Sequence, residues 1–209
     1  MIELYHCRES RSLRPLWALE ELGLPYRPVF LSFPPRLREK TYLATNPLGT
    51  VPYLIDGDVR MSESTAMCLY LTEKYGPTPL AISAAESGYA NFLNWLFFSD
   101  ATLTFPQTIV LRYRQFEPDP DGRTALDYEK WFYGRLKSVE AELSGREWLC
   151  GDRFTIADIA IVYALYLGDT IVGLGPGYGP NVRAYLERAC DRSAFKRARE
   201  VDMQAPAWR

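Results

Sequence analysis

The sequence holds a single histidine, His6, among 209 residues. A metal cage built from histidines is therefore not expected, and neither is a serine–histidine pair that needs a spare histidine. The four cysteines lie far apart, at Cys7, Cys68, Cys150 and Cys190, with no C-x-x-C metal pattern. We expect no metal site, and we expect Cys68 and Cys190 to be buried as small apolar side chains.

The chain also lacks a charge excess, a long apolar run and a leader pattern. Its 24 Lys and Arg residues stand against 26 Asp and Glu residues, a balance that gives no footprint for nucleic acid. No apolar stretch is long enough to span a bilayer, and "MIELYHCRES" lacks the basic-then-apolar order of a signal peptide. These absences predict a cytoplasmic protein with no nucleic-acid partner and no membrane partner.

The part of the chain from residue 1 to residue 77 carries the pattern of a mixed α/β domain. "MIELYHC" and "PYRPVFLSF" predict strands, and "SRSLRPLWALEELGL" between them predicts a helix that ends at Gly23. "REKTYLATNPLG" predicts a weak helix. "TVPYLIDGDVR" predicts two strands around an Asp-Gly turn, and "SESTAMCLYL" predicts the next helix. The predicted order is β-α-β-α-β-β-α.

The pattern changes after a predicted linker at residues 78–86, next to the proline-rich "YGPTPLAIS". Residues 87–209 show helical patterns and no convincing strand. "TIADIAIVYALYLGDTIVGL" is nearly apolar, which predicts the core of a helical bundle. Thr155 and Asp158 at its start match a capping box, so we interpret both as structural. The predicted fold class is an α/β domain followed by an all-α helical-bundle domain.

Two polar features of the first domain suggest a binding site. Val51-Pro52 opens a predicted strand, although proline has no N–H to donate. A cis bond there would let Val51 offer its backbone groups to an extended ligand, and a trans proline at a sheet edge is the alternative. Glu63 and Ser64 stand at a helix start. They form either a simple cap or a site for a ligand that carries an ammonium and a carboxylate group.

A third feature is "HCRESRS", between the first strand and the first helix. A thiolate placed there would be stabilised by the N–H groups of the helix start and by a hydroxyl group. Ser10 and Ser12 can each supply that hydroxyl, or each can be only a cap.

These elements together resemble a cytosolic glutathione transferase over essentially the whole chain. The resemblance is carried by the β-α-β-α-β-β-α head, "NPLGTVPYL", "SESTAMCLYL" and the helical tail with "GDRFTIADIAI". It implies a thioredoxin-like first domain, a cis Val51-Pro52 bond and glutathione as co-substrate. Glutathione would bind along Thr50, Val51 and Pro52, with its γ-glutamyl end at Glu63 and Ser64.

The resemblance leaves the partner of the glycine carboxylate open. Arg36, Arg38 and Lys40 are the candidates, and we take Lys40 as the predicted substrate-binding residue.

For the catalytic group, the resemblance implies a serine-type enzyme, similar to theta-like and beta-like bacterial members. His6 occupies the position at which other members carry a tyrosine. Ser10 is the expected donor to the glutathione thiolate, and Ser12 is the second catalytic candidate. Two alternatives stay open. Cys7 could serve a glutathione-dependent thiol/disulfide oxidoreductase, or the chain could bind glutathione or a partner without catalysis.

The expected second substrate is a small hydrophobic electrophile. Phe105, Tyr113 and Tyr166 of the helical domain are the candidates for its pocket, and core packing is the alternative for each. The family also implies a homodimer and a role in detoxification.

Overall fold

A computed structural model describes residues 1–117, 119 and 121–207. Packing divides the chain into two units. The first unit holds Met1–Thr78 together with the segment that begins at Cys190, and the second unit holds Pro79–Ala189. The division into residues 1–77, a linker at 78–86 and residues 87–209 stays a prediction, to which the packing adds that the end of the chain belongs with the first unit.

The first unit contains a four-stranded sheet together with helices. The elements of its first segment are β1 (Ile2–His6), α1 (Leu13–Leu22), β2 (Tyr26–Phe30), α2 (Pro35–Arg38), a 3₁₀ turn (Lys40–Ala44), β3 (Tyr53–Asp56), β4 (Val59–Met61) and α3 (Ser64–Lys74). The predicted order β-α-β-α-β-β-α is confirmed. The weak second helix is divided into a single α-helical turn and the 3₁₀ turn.

The sheet has the strand order β2-β1-β3-β4. β1 and β2 are parallel, since α1 crosses over between them, and β3 runs antiparallel to β1 with Tyr5 opposite Tyr53. The turn between β3 and β4 contains Gly57 at φ 60°, and the predicted hairpin is confirmed. Because β1 and β3 are antiparallel, the residues that follow β1 lie beside the residues that precede β3.

The second unit is helical in the part of the chain that the structure describes, apart from an isolated bridge between Trp148 and Gly151. Its helices are α4 (Tyr89–Phe98), α5 (Phe105–Leu111), α6 (Arg123–Glu142), α7 (Ile156–Tyr166) and α8 (Pro180–Cys190). Wider π-type turns extend three of these helices, at Ser99–Thr104, Arg112–Phe116 and Leu167–Val172, and Gly175–Gly177 forms a 3₁₀ turn. The predicted all-helical character is confirmed.

The last helix, α9 (Ser193–Asp202), packs against α1 inside the first unit. The ring of Phe195 meets the buried Trp17 edge-on, with 4.8 Å between the ring centroids. Arg192 reaches Glu21 with two hydrogen bonds, of 2.6 and 2.8 Å. The apolar ring contact and the bidentate ion pair together hold the end of the chain against α1.

α7 is the buried helix of the second unit, as its apolar sequence predicts, since every residue from Ile156 to Leu165 is buried. At its start Asp158 accepts hydrogen bonds from the Thr155 N–H at 2.8 Å, the Leu149 N–H at 3.0 Å and the Tyr185 hydroxyl at 2.9 Å. Burial raises the pKa of the Asp158 carboxyl, and these donors oppose the rise. The interpretation of Asp158 as a structural group is confirmed.

The cysteine prediction is right for Cys68 and wrong for Cys190. Cys68 is fully buried inside α3, whereas Cys190 is only half-buried. Cys190 is the last residue of α8, and a helix end is covered less completely than a helix interior. Among the described residues, no helix is long and apolar enough to cross a membrane, and no group of three or more His, Cys, Asp or Glu side chains is placed to hold a metal ion.

Candidate functional site

The loop that follows β1 lies against the segment that precedes β3. Cys7 is buried in a cluster with Leu31 and Tyr42, and the side chains of Val51 and Tyr53 pack against the same cluster. The peptide bond between Val51 and Pro52 is cis, as the family resemblance implies. The segment "HCRESRS", residues 6–12, is called the serine loop below. Two of the three predicted features, the serine loop and Val51-Pro52, are therefore neighbours.

Ser10 and Ser12 differ in exposure. Ser10 is half-buried, and its Oγ donates to the Cys7 carbonyl oxygen at 2.8 Å. Ser12 is fully buried and directly precedes α1, yet its hydroxyl makes no capping bond to the helix. The two Oγ atoms lie 2.6 Å apart. Of the two serines, only Ser10 presents surface that a ligand could touch.

Cys7 is fully buried despite its place next to the loop. Burial raises the pKa of its thiol to about 12, and the negative charge of Glu39 adds to the rise. A thiol of this kind stays protonated near neutral pH, and the thiolate is the nucleophilic form of cysteine.

The carbonyl oxygen of Thr50 is held by two side chains. It accepts hydrogen bonds from the Tyr42 hydroxyl at 2.7 Å and from the Asn46 side-chain amide at 2.9 Å. Burial raises the pKa of Tyr42 to about 12, so its hydroxyl keeps the proton that it donates. Thr50 itself is exposed, Val51 is half-buried and Pro52 is buried. Sequence reasoning assigned no role to Tyr42 and interpreted Asn46 only as a turn residue.

Helix α3 begins at Ser64, so the predicted Glu63-Ser64 feature forms its start, with Glu63 as the residue before the first turn. Glu63 is exposed, and its side chain makes no capping bond. Ser64 is only 2% exposed, and its hydroxyl accepts a hydrogen bond from the buried Arg14 at 3.0 Å. What this position offers a ligand is therefore the Glu63 carboxylate and the first N–H groups of α3, which lack partners within the helix.

Arg14 was also missed from the sequence. It is fully buried in the first turn of α1 and joins that turn to the start of α3 through Ser64. Its one available sequence signal is a basic residue in an otherwise apolar helix start, "LRPLWALEEL". The bond connects the Glu63-Ser64 feature to the helix that follows the serine loop, so all three predicted features lie at one end of the sheet.

The three basic candidates for the glycine carboxylate are all exposed. Arg36 and Arg38 lie in α2, and Lys40 is the first residue of the following 3₁₀ turn. The structure does not single out one of them, and the role of Lys40 stays a prediction.

The candidate second-substrate residues belong to the second unit. Phe105 begins α5 and is 46% exposed, with the rings of Tyr128 and Trp131 edge-on to it at 6.1 and 6.2 Å. Tyr113 lies in the π-type turn after α5, and Tyr166 is the last residue of α7; both are half-buried. Each of the three keeps exposed surface, and their role in substrate binding stays a prediction.

Comparison with known proteins agrees with this architecture. Residues 4–79 match the model of the glutathione S-transferase N-terminal domain, and residues 109–193 match that of the C-terminal domain. The chain is 31% identical to glutathione S-transferase F10 of Arabidopsis thaliana, over 94% of this chain and 95% of that protein. It is 29% identical to glutathione S-transferase GstB of Escherichia coli (strain K12), over 94% and 97%.

A solved structure is similar over nearly the same span. The structure of Ure2p in complex with glutathione aligns with a TM-score of 0.83 at 26% identity, covering 94% of this chain and 97% of that chain. The fold and the relatives define a transferase with a thioredoxin-like first domain and a helical second domain. The chain belongs to the glutathione S-transferase family and is an enzyme of that class.

Proposed function

We propose that this chain binds glutathione as its co-substrate and activates the thiol for attack on a small hydrophobic electrophile. The observation that carries the proposal is the placement of Ser10. It is the accessible serine of the loop after β1, and the same loop packs beside Val51-Pro52. A hydroxyl at the start of a helix is the kind of donor that stabilises a thiolate.

Glutathione would lie extended across one end of the sheet. Its cysteinyl backbone would pair with Val51, next to the Thr50 carbonyl that Tyr42 and Asn46 hold in place. Its γ-glutamyl ammonium would meet the Glu63 carboxylate, and the adjacent carboxylate would meet the start of α3 at Ser64. Two similar solved structures, Ure2p in complex with glutathione and Ure2p in complex with S-p-nitrobenzylglutathione, support glutathione as the ligand.

At the sulfur, Ser10 would donate a hydrogen bond to the thiolate. The thiolate is the nucleophile, and the leaving group of the electrophile departs with its bonding electron pair. Ser10 forms no covalent bond in this scheme. Lys40 would meet the glycine carboxylate, and Phe105, Tyr113 and Tyr166 would contact the electrophile.

A glutathione-dependent oxidoreductase that works through Cys7 is disfavoured by the burial of Cys7 and by its raised pKa. A glutathione-binding protein without turnover is the other alternative. One experiment separates the three functions. The purified protein is applied to glutathione resin and is then assayed with an aryl halide and with a disulfide of glutathione, as wild type, Ser10→Ala and Cys7→Ser.

The proposal predicts retention on the resin, turnover of the aryl halide, and loss of that turnover in Ser10→Ala alone. Retention without any turnover would establish the binder. Disulfide turnover that disappears in Cys7→Ser would establish the oxidoreductase.

We further propose that the enzyme works in the cytoplasm as a homodimer, in the removal of reactive electrophiles. The relatives named above are glutathione S-transferases, and the family resemblance supports the dimer. Light scattering on the purified chain tests the oligomeric state, and twice the chain mass of 23.9 kDa is the expected result.

A further inference from the structure

A chain of polar groups runs from Ser10 into the interior of the first unit. The Oγ atoms of Ser10 and Ser12 are 2.6 Å apart, and Ser12 Oγ lies 2.7 Å from Nδ1 of His6. On the far side of the ring, His6 Nε2 lies 3.0 Å from Oδ1 of Asp202 in α9. Ser12, His6 and Asp202 are each 0% exposed, so Ser10 is the member through which the chain reaches the surface.

The Asp202 carboxylate also holds the loop that carries Ser10. Its Oδ1 accepts the N–H of Glu9 at 2.8 Å, and its Oδ2 accepts from Arg199. Glu9 has φ 58°, a left-handed conformation that residues other than glycine adopt rarely. Asp202 therefore holds Glu9, the residue before Ser10, and also faces the His6 ring. The 3.0 Å between His6 Nε2 and Asp202 Oδ1 is an ion-pair distance, but the two groups are not aligned for a hydrogen bond.

The charged groups near the His6 ring contact one another in sequence. Asp202 is the carboxylate next to His6, Arg199 lies behind Asp202, and the Glu9 carboxylate lies 3.9 Å from Arg199. From the neighbouring strand β2, the apolar ring of Phe30 meets His6 edge-on. A proton on His6 would thus face a carboxylate in a site that is closed to water.

Each serine hydroxyl has one proton, which allows two arrangements of the hydrogen bonds that join Ser10 to His6. With Nδ1 unprotonated, Ser12 donates to His6, and two acceptors compete for the one Ser10 proton, namely Ser12 Oγ at 2.6 Å and the Cys7 carbonyl oxygen at 2.8 Å. The first arrangement, from which the proton transfer proposed below starts, is the one in which Ser10 donates to Ser12. With Nδ1 protonated, His6 donates to Ser12 and Ser12 donates to Ser10. The Ser10 proton is then available to a ligand atom.

We propose that His6 takes up the thiol proton of glutathione through Ser10 and Ser12, an inference that rests on the proposed function. The S–H bond breaks and its proton passes to Ser10 Oγ, while the proton of Ser10 passes to Ser12 and that of Ser12 to His6 Nδ1. The sulfur keeps the electron pair, both hydroxyls remain intact, and the imidazolium faces Asp202. After the transfer, the hydrogen bonds have the second arrangement, in which Ser12 donates to Ser10 and Ser10 donates to the thiolate.

The proton leaves by the same path. After the thiolate has displaced the leaving group and the product has dissociated, water reaches Ser10 and accepts the proton that His6 returns through the two hydroxyls. His6 and Asp202 act through Ser10 and Ser12 and touch no substrate atom, so both are positioning residues.

Replacement of the ring by an amide tests this relay. The amide of His6→Asn retains hydrogen-bonding capacity toward Ser12 but does not accept a proton at neutral pH. Three quantities are measured: the affinity for glutathione, the pH at which the ultraviolet thiolate band of bound glutathione reaches half its height, and kcat/KM with an aryl halide. The second variant is Ser12→Ala, which removes the oxygen atom that links Ser10 to His6. If His6→Asn does not fold, Ser12→Ala alone tests the relay.

The relay predicts that each variant binds glutathione within about twofold of wild type. The thiolate midpoint moves upward by about one pH unit or more, because the imidazolium no longer stabilises the thiolate. The value of kcat/KM at neutral pH falls about a hundredfold, the lower end of what a general base contributes. The double variant falls no further than either single one, since each change interrupts the same chain.

Thr72→Val is the matched control, because it removes another buried hydroxyl of the first unit, one that donates to the Cys68 and Leu69 carbonyls. It should leave the thiolate midpoint in place. A wild-type midpoint in folded His6→Asn or Ser12→Ala overturns the relay while the proposed function stands. A wild-type protein that does not bind glutathione overturns both.

Discussion

The hydroxyl of Tyr42 donates a 2.7 Å hydrogen bond to the carbonyl oxygen of Thr50, the residue that leads into Val51-Pro52. The Asn46 amide shares the same oxygen at 2.9 Å. A carbonyl with two buried donors is fixed in direction, and this orients the peptide plane from which Val51 offers its N–H group. The backbone edge proposed to bind glutathione is therefore set by side chains of the preceding turn.

Tyr42→Phe should weaken glutathione binding about fivefold, because one bond of about 1 kcal/mol no longer orients the Thr50 carbonyl. Isothermal titration calorimetry with glutathione measures the effect. Tyr53→Phe is the control, since it removes a hydroxyl from the same aromatic cluster at a half-buried site. An equal loss of affinity in both variants would contradict the role given to Tyr42.

Glu63→Gln should raise the dissociation constant for glutathione about tenfold. The exposed carboxylate at the start of α3 is expected to pair with the γ-glutamyl ammonium, and a charge-assisted bond is worth about 1.5–3 kcal/mol. Glu73→Gln removes the same charge near the other end of α3 and should leave the affinity unchanged. The idea fails if the two variants behave alike.

Cys7 should resist alkylation in the native protein. With its pKa raised to about 12 by burial and by Glu39, the thiol stays protonated and covered as pH rises from 7 toward 10. Mass spectrometry after iodoacetamide treatment at about pH 8 should find Cys7 unmodified until denaturant is added. Cys7→Ala should retain aryl-halide turnover within about twofold. Rapid labelling of Cys7 in the native protein would contradict this prediction and support the oxidoreductase hypothesis.

Tyr185→Phe should destabilise the second unit more than Tyr178→Phe does. Tyr185 donates at 2.9 Å to the buried Asp158 carboxylate, whereas Tyr178 donates at 2.8 Å to the Leu165 backbone carbonyl. Loss of a donor to a charged group costs about 1.5–3 kcal/mol, and loss of a neutral bond costs about 1 kcal/mol. Urea unfolding measures both, and the reverse order would show that Asp158 does not depend on Tyr185.

The features that the sequence predicted correctly are local or belong to a shared pattern. The Asp-Gly turn placed the β3–β4 hairpin, and the capping box placed the start of α7, because each depends on residues a few positions apart. The cis bond at Pro52 followed from the family resemblance; the residues alone left cis and trans open.

The features that were missed depend on contacts between distant positions. Glu9 and Asp202 are 193 positions apart, and no periodicity links the loop after β1 to α9. The bond between Arg14 and Ser64 spans 50 positions. For the same reason, the lone histidine gave no sign of its neighbours. A buried polar chain arises from packing, which a pattern along the sequence does not encode.

The most direct test of the account is whether the Ser10 hydroxyl activates the thiolate of bound glutathione. The value of kcat/KM with an aryl halide is measured for wild type, Ser10→Ala and Ser10→Thr, with glutathione affinity determined in parallel. If the Ser10 hydroxyl stabilises the thiolate, Ser10→Ala loses about a hundredfold or more while its glutathione affinity stays near that of wild type, and Ser10→Thr regains part of the loss. Wild-type turnover in Ser10→Ala would contradict the account.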